Sequence, residues 1–425
     1  MMIRLMCASV NKMWGSTSRR CAANPVVMRV VVLAIGLASV LAPQLRAQDS
    51  QLSSLRTDTG GGAGPAVQRG STPSTNVLSA EEWQRVDAAV LRALIFLSSQ
   101  QQPDGSFPTL PHAQPGVSSL CVLGFMAHGQ NPGEGQYGQQ LDRTIDFILS
   151  CQKPNGLLTL YGPEGPRITR GVSHEIGVAA AYNHAITSLT LSEVYGMGRL
   201  KRTAKIEQVI NRSIAAALEM QRWPKDAAHD QGGWRYVDDF DQSDSDLSVT
   251  GWYIMFLRSA RNAGFNVPKK SIDDAIGYVR RSFSKNYGAF GYTVGTGRSP
   301  SRGTAGAGIL ALGHAGFHNS FEAQRAGQWL MQYRFEVYND NLGLDRERYH
   351  YSLFNCCQGM YQLGSPHWEE FFPSTVRTVL DNQQANGSWD AESHHRDRAF
   401  GNSYTTALVL LALGAPNQLL PVFQR

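Results

Sequence analysis

The residues best placed for chemistry are five aspartates, Asp238, Asp239, Asp241, Asp244 and Asp246, crowded just before an apolar helical pattern that begins near Leu247. Carboxylates at such a point face the positive end of a helix dipole. Two jobs suit Asp244 and Asp246 there. One is capping, in which an aspartate oxygen accepts hydrogen bonds from the first free amides and stabilises the helix by about 1 kcal/mol. The other is an acid or binding group turned into a cavity, and on that reading these two are the candidate catalytic residues. His184 sits in a second, nearly uncharged pattern and is either a ligand contact or a hydrogen-bonded core histidine. Aromatic residues gather near the starts of such patterns, and Trp252, Tyr292, Tyr351 and Tyr404 join His184 as candidate ligand-binding residues. A lining of this kind suits a long apolar ligand, and plain packing would use the same side chains. His350, Cys356 and Cys357 lie close in sequence, but adjacent cysteines lack chelating spacing, so no metal ligand and no cofactor is assigned.

Hydrophobic periodicity supplies two alternating kinds of element to hold these groups. Residues 80–101, 140–152, 200–221, 271–283, 322–333 and 373–384 read as amphipathic helices with charged positions. Residues 117–127, 183–195, 247–263, 304–315, 351–363 and 403–413 are nearly uncharged and rich in Ala, Gly, Ser and Leu. A helix apolar all round belongs inside and one with a charged face outside. Five times a turn carries a glycine step into an apolar or aromatic residue: Gly105-Ser106-Phe107, Gly156-Leu157-Leu158, Gly232-Gly233-Trp234, Gly288-Ala289-Phe290 and Gly387-Ser388-Trp389. Repetition implies stacking, because one helix pair cannot bury its own apolar face. The expected fold is all-α, an (α/α)6 toroid of six outer and six inner helices.

The Gln-x-x-x-Gly-x-aromatic steps resemble the repeats of squalene-hopene cyclases and protein prenyltransferase β subunits. A closer resemblance is to secreted bacterial prenyltransferase/squalene oxidase repeat proteins, and it covers the chain from about Ser79 onward. Four passages carry it: Tyr182-Asn183-His184-Ala185-Ile186 with Glu193-Val194-Tyr195-Gly196, Gly232-Gly233-Trp234-Arg235-Tyr236, Asp246-Leu247-Ser248-Val249-Thr250-Gly251-Trp252, and Leu420-Pro421-Val422-Phe423-Gln424-Arg425. The cyclase resemblance implies an acid at the central aspartate of an Asp-x-Asp-Asp motif, protonating an alkene before aromatic faces stabilise the cation. Asp244-Ser245-Asp246-Leu247 matches its first and third positions, and Leu247 replaces the fourth. The prenyltransferase resemblance implies zinc held by Asp-x-Cys and a later histidine, and the sequence has no Asp-x-Cys.

The first 47 residues read as a secretory signal, with Arg29 before the apolar run Val30 to Leu41 and a small residue, Ala47, at the cleavage point. Met28 would serve as an alternative start. The apolar run is too short to span a bilayer, which needs roughly 20 residues, so the mature chain should have no transmembrane helix and should be periplasmic or extracellular. That segment carries six basic residues and no acidic one, so the remainder of a chain with 39 basic and 34 acidic residues is close to neutral. A neutral chain lacks the basic footprint of nucleic-acid binding. Residues 48–78 read as a flexible linker and 79–425 as one domain. Cys121 and Cys151 could pair in an oxidising compartment or remain buried thiols.

Three functions fit. The first is a toroid that binds or transforms an isoprenoid or other apolar ligand in its central cavity. The second is a non-catalytic binding or scaffold toroid. The third is a carbohydrate-active (α/α)6 enzyme whose carboxylate pair would be Asp246 and Glu193.

Overall fold

The computed structural model describes residues 77–195, 202–238, 243–295, 299–343 and 347–425. The signal segment, nearly all of the linker, and Asp239 and Asp241 lie outside the described residues. Among those described, twelve α-helices alternate: outer α1 (Ala80–Gln100), α3 (Gly138–Ser150), α5 (Thr203–Gln221), α7 (Lys269–Arg281), α9 (Phe321–Leu330) and α11 (His367–Asp381), with inner α2 (Gly116–Met126), α4 (His174–Tyr195), α6 (Leu247–Asn262), α8 (Arg302–His314), α10 (Tyr349–Leu363) and α12 (Gly401–Leu413). The expected α/α toroid is the observed fold. Its two kinds of helix bury different shares of themselves: α2 and α8 bury every residue, whereas α1 buries only the stripe Val86, Ala89, Val90, Ala93, Leu94, Phe96 and Leu97.

Two helices begin more than two residues earlier than periodicity suggests. α4 gains the residues from His174 because Gly177, a poor helix former, leaves room for Asp238, whose Cβ would lie 2.6 Å from a Cβ at that position. α11 starts at His367 and carries Pro373 inside it, above the exposed residue Glu369 whose carbonyl loses its helical donor.

Four glutamines staple neighbouring outer helices. Gln101 Nε2 donates to Gln140 O at 2.8 Å, Gln152 Nε2 to Val209 O at 2.9 Å, Gln221 Nε2 to Ser271 O at 2.9 Å and Gln383 Nε2 to Ala89 O at 2.9 Å. Each also donates back to the glycine carbonyl of its own turn, Gly105, Gly156, Gly232 or Gly387. These glycines hold φ near +90°, and a Cβ on any of them would sit 2.2 to 2.6 Å from a carbonyl oxygen of the next outer helix. Only glycine fits that approach. The fourth staple closes the ring, since Gln383 follows α11 and Ala89 belongs to α1. Beside it, Arg85 pairs with Asp381, while Cys121 of α2 meets Ser403 O of α12.

The residue after each glycine step plugs the gap between layers. Its backbone N–H donates to a polar side chain on the following inner helix: Phe107 to Ser118, Leu158 to His184, Trp234 to Thr250 and Trp389 to Thr406. The Gly288 step differs, folding back as the antiparallel pair β1 (Phe283–Ser284) and β2 (Ala289–Phe290). Because outer and inner helices alternate around the ring, every inner helix starts at the same face. Connections into those starts are long (101–115, 151–173, 222–246, 282–301, 331–348 and 382–400), and their described residues gather there. At the opposite face, residues 414–425 cross the ring and insert Phe423 between His314 and Phe354.

Candidate functional site

The face that collects the inner-helix starts and the long connections is where polar groups meet the hub. Its centre is Asp246, the N-cap of α6. An isolated bridge pairs Trp234 with Asp246, Asp246 N donating to Trp234 O at 3.0 Å, and this sets Arg235 beside the cap. Asp246 is fully buried and both oxygens are engaged: Oδ1 accepts from Val249 N at 2.8 Å and Ser248 Oγ at 2.7 Å, and Oδ2 accepts from Arg235 Nη1 at 2.5 Å. A carboxylate held by a guanidinium, a hydroxyl and an amide is arranged as an acceptor on both oxygens.

Around this pair stand tyrosines. Arg235 Nη1 also donates to Tyr292 Oη at 2.8 Å, Tyr236 and Tyr292 share a hydrogen bond between hydroxyls, and Tyr182 Oη bonds Ser248 Oγ at 2.6 Å. The Arg235 guanidinium lies 4.2 Å from the Tyr236 ring centroid and 5.2 Å from that of Tyr292. One face each of Tyr236 and Tyr292 therefore already holds a cation. Burial lowers the tendency of Arg235 to stay charged, but Asp246 and the tyrosines outweigh it and hold its pKa above the usual value.

Tyr182, Tyr292, Tyr351 and Tyr404 are the walls. Burial pushes the Tyr292 hydroxyl up to about 12 and raises the other three as well, yet all four keep accessible surface. Tyr182, Tyr292 and Tyr351 all sense the charge of Asp246, and Tyr404 senses Tyr351, so the four are near neighbours at this face. Below them Trp252 stacks on Phe354 at 5.3 Å, both buried.

The structure thus brings Asp246, Tyr292, Tyr351 and Tyr404 together, and it sorts the other candidates differently. Asp244 turns away: its Oδ2 accepts from Asp226 N at 2.8 Å and its Oδ1 lies 3.7 Å from Arg170, in the outer part of the loop. His184, read as either a ligand contact or a hydrogen-bonded core histidine, is fully buried between layers, Nδ1 accepting from Leu158 N at 3.1 Å and Nε2 bonding Ser213 O at 3.1 Å. Burial lowers its pKa to about 4, so it is a neutral staple that replaces the Ser118 or Thr250 of other repeats. Trp252 packs the floor and does not line the opening. Glu193 is no partner for Asp246 in glycoside chemistry: it binds Ser259, more than three turns along α6, which places the two carboxylates about 20 Å apart at 1.5 Å per residue.

One group at this face escaped sequence reasoning. Asp397, in the connection before α12 and so across the ring from α6, is partly open, pairs with Arg348 at 2.9 Å and is sensed by Tyr404. Burial raises its pKa against the pull of Arg348. Behind it the buried Glu392 accepts from Tyr349 N and His350 N and bonds His350 Nδ1, while His350 Nε2 bonds Tyr338 Oη. The only sequence signal was a polar, histidine-rich loop. His350 thus spends both nitrogens on this chain, and Cys356 Sγ meets Arg302 O at 3.2 Å. Cys121 and Cys151 are separate free thiols.

No known family profile matches the chain, and no curated protein matches it. Solved structures share its fold. A variant of the type II terpene cyclase MstE from Scytonema, in complex with geranylgeranyl dihydroxybenzoate, superposes with a TM-score of 0.53 at 12% identity, over 80% of this chain and 100% of that one. A glycosidase variant gives 0.54 at 12% identity over 81% and 100%. A possible member of the GH105 family from Salmonella enterica gives 0.53 at 11% identity over 80% and 95%. Both terpene cyclase and glycosidase toroids are therefore among the structures this chain is similar to. Identity this low shows the shared fold alone. Among the described residues no helix is long and apolar enough to cross a membrane.

Proposed function

We propose that this chain is an exported ligand-binding toroid whose tyrosine-walled recess takes an isoprenoid or other apolar molecule, with Asp246 as structural anchor and no acid role. The observation that carries the reading is the full engagement of Asp246 beneath open tyrosine walls. An acid that starts a cation cascade needs a free O–H aimed at the substrate and aromatic faces free to receive the cation. Here the carboxylate is committed to Arg235, and Arg235 occupies the faces of Tyr236 and Tyr292. What remains is an aromatic recess over an apolar floor, which suits apolar burial. The isoprenoid held by the terpene cyclase neighbour gives the ligand class to try first. Organic extraction of the purified chain followed by mass spectrometry, with polyprenyl alcohols offered to stripped protein, tests it. A chain that carries no such molecule and binds none when offered defeats the proposal.

Asp397 favours a second reading, a carbohydrate-active enzyme, because a partly open carboxyl whose pKa is raised by burial is suited to proton donation. Screening oligosaccharides with wild type and Asp397→Asn decides it: hydrolysis lost in the variant supports this reading, and no hydrolysis by wild type removes it.

A further inference from the structure

The second observation lies at the opposite face. Residues 414–425 cross the ring beneath the hub, with Leu420, Val422 and Phe423 buried. Four inner helices hold them. Glu193 of α4 accepts from Val422 N at 3.3 Å, and its other oxygen accepts from Ser259 Oγ of α6. Gln362 of α10 donates to Phe423 O at 2.7 Å, and the Phe423 ring packs against Phe354 at 5.9 Å and His314 of α8 at 6.3 Å. The hub is therefore floored by one short segment, and a single carboxylate ties that segment to two inner helices.

We infer that residues 418–425 are a proton-sensitive latch, docked under the hub while Glu193 is protonated and loosened when Glu193 ionises. The physical cause is desolvation. Covering by Val422 and Phe423 keeps water from Glu193, and burial lifts its pKa to about 7 from an ordinary 4.5, opposed by the donors Ser259 and Val422. Releasing the segment admits water and returns the group toward its ordinary value, so ionisation favours the released state by linkage. The sign follows: a carboxyl raised in the docked state favours docking at low pH, and that advantage is lost as pH rises through about 4.5 to 7.

The other titratable groups facing the segment do not switch in the upper part of that window. Burial holds His314 down at about 3, with Arg258 and His318 adding to the effect, so it stays neutral. Burial and Arg425 lower His318, which is neutral through the upper part of the window. Burial raises Tyr361 and lowers Arg425. For the ligand proposed above, the latch would be a second way into the recess; that consequence rests on the ligand reading, but the latch itself does not.

Amide hydrogen exchange of the full chain, without ligand, between pH 5 and pH 8.5 tests it after correction for intrinsic rates. Protection of the Val422 and Phe423 amides should fall as pH rises, by about 75-fold across this range if the released carboxyl regains its ordinary value, while core amides of α8 keep theirs. Glu193→Gln should flatten the profile, and Phe423→Ala should lower protection at every pH. A pH-independent Val422 amide in wild type, or the same slope in Glu193→Gln, overturns the latch and leaves the ligand reading untouched.

Discussion

Replacing Asp246 by asparagine separates anchoring from acid chemistry in one step. Asparagine keeps a side-chain oxygen for Val249 N, so the cap of α6 survives. What is lost is the charge that answers Arg235, which stays buried and keeps its contact with Tyr292. Breaking one side of a buried pair costs about 3–5 kcal/mol, and the retained Tyr292 contact argues for the lower end, near 3 kcal/mol. A domain of about 350 residues has an unfolding entropy near 0.7 kcal/mol/K, so the midpoint should drop by about 4 °C. Asp244→Asn is the control: its carboxylate meets Asp226 N and a distant Arg170 in the loop, so the cost should stay within about 1 kcal/mol. Scanning calorimetry on both variants reads the difference directly. A midpoint unchanged in Asp246→Asn, or lowered equally in Asp244→Asn, would refute the anchoring argument and restore Asp246 as a free acid.

Three further outcomes follow from the packing. Gly232→Ala should cost at least about 2 kcal/mol, because φ is +89° and its Cβ would meet Asp274 O at 2.2 Å, whereas Gly264→Ala, at φ +92° with open space around it, should cost about 1 kcal/mol; denaturant unfolding distinguishes them. His184→Leu strands Leu158 N–H and Ser213 C=O and should destabilise by about 2–4 kcal/mol while leaving ligand binding at the recess intact, read by unfolding and titration. Burial raises the thiols of Cys121, Cys356 and Cys357 and lifts Cys151 to about 11, so at pH 8 these four should react with a disulfide reagent at least about 100-fold slower than free cysteine until the chain is unfolded.

The fold was legible because charge divides the helices so cleanly. Lys, Arg, Asp and Glu mark one face of each outer helix and nearly vanish from the inner ones, and that contrast survives without knowledge of any contact. Helix starts were less legible where packing overrides propensity, as at Gly177, chosen for the room it gives Asp238, and at Pro373, tolerated inside α11. The glycine steps predicted turns, while the glutamines before them turned out to carry the ring closure through Gln383 and Ala89. In the site, the cap role of Asp246 could be read from its place before an apolar run. Its partner could not, because Arg235 reaches it through a bridge between Trp234 and Asp246 that no periodicity announces. His184 stayed open between two readings for a related reason: its repeat uses an imidazole where others use Ser or Thr, and only the two backbone partners reveal the substitution. Asp397 was hidden because its neighbours Arg348 and Tyr404 come from different repeats.

Native mass spectrometry of the chain offered a polyprenyl alcohol tests the central claim most directly, with Asp246→Asn and Tyr351→Arg measured beside wild type below their unfolding temperatures. One ligand per chain should bind to wild type and to Asp246→Asn, unchanged in mass, and binding should vanish when the arginine brings a charge into the recess. An empty wild-type chain, binding undisturbed in Tyr351→Arg, or a converted product that disappears in Asp246→Asn would contradict it.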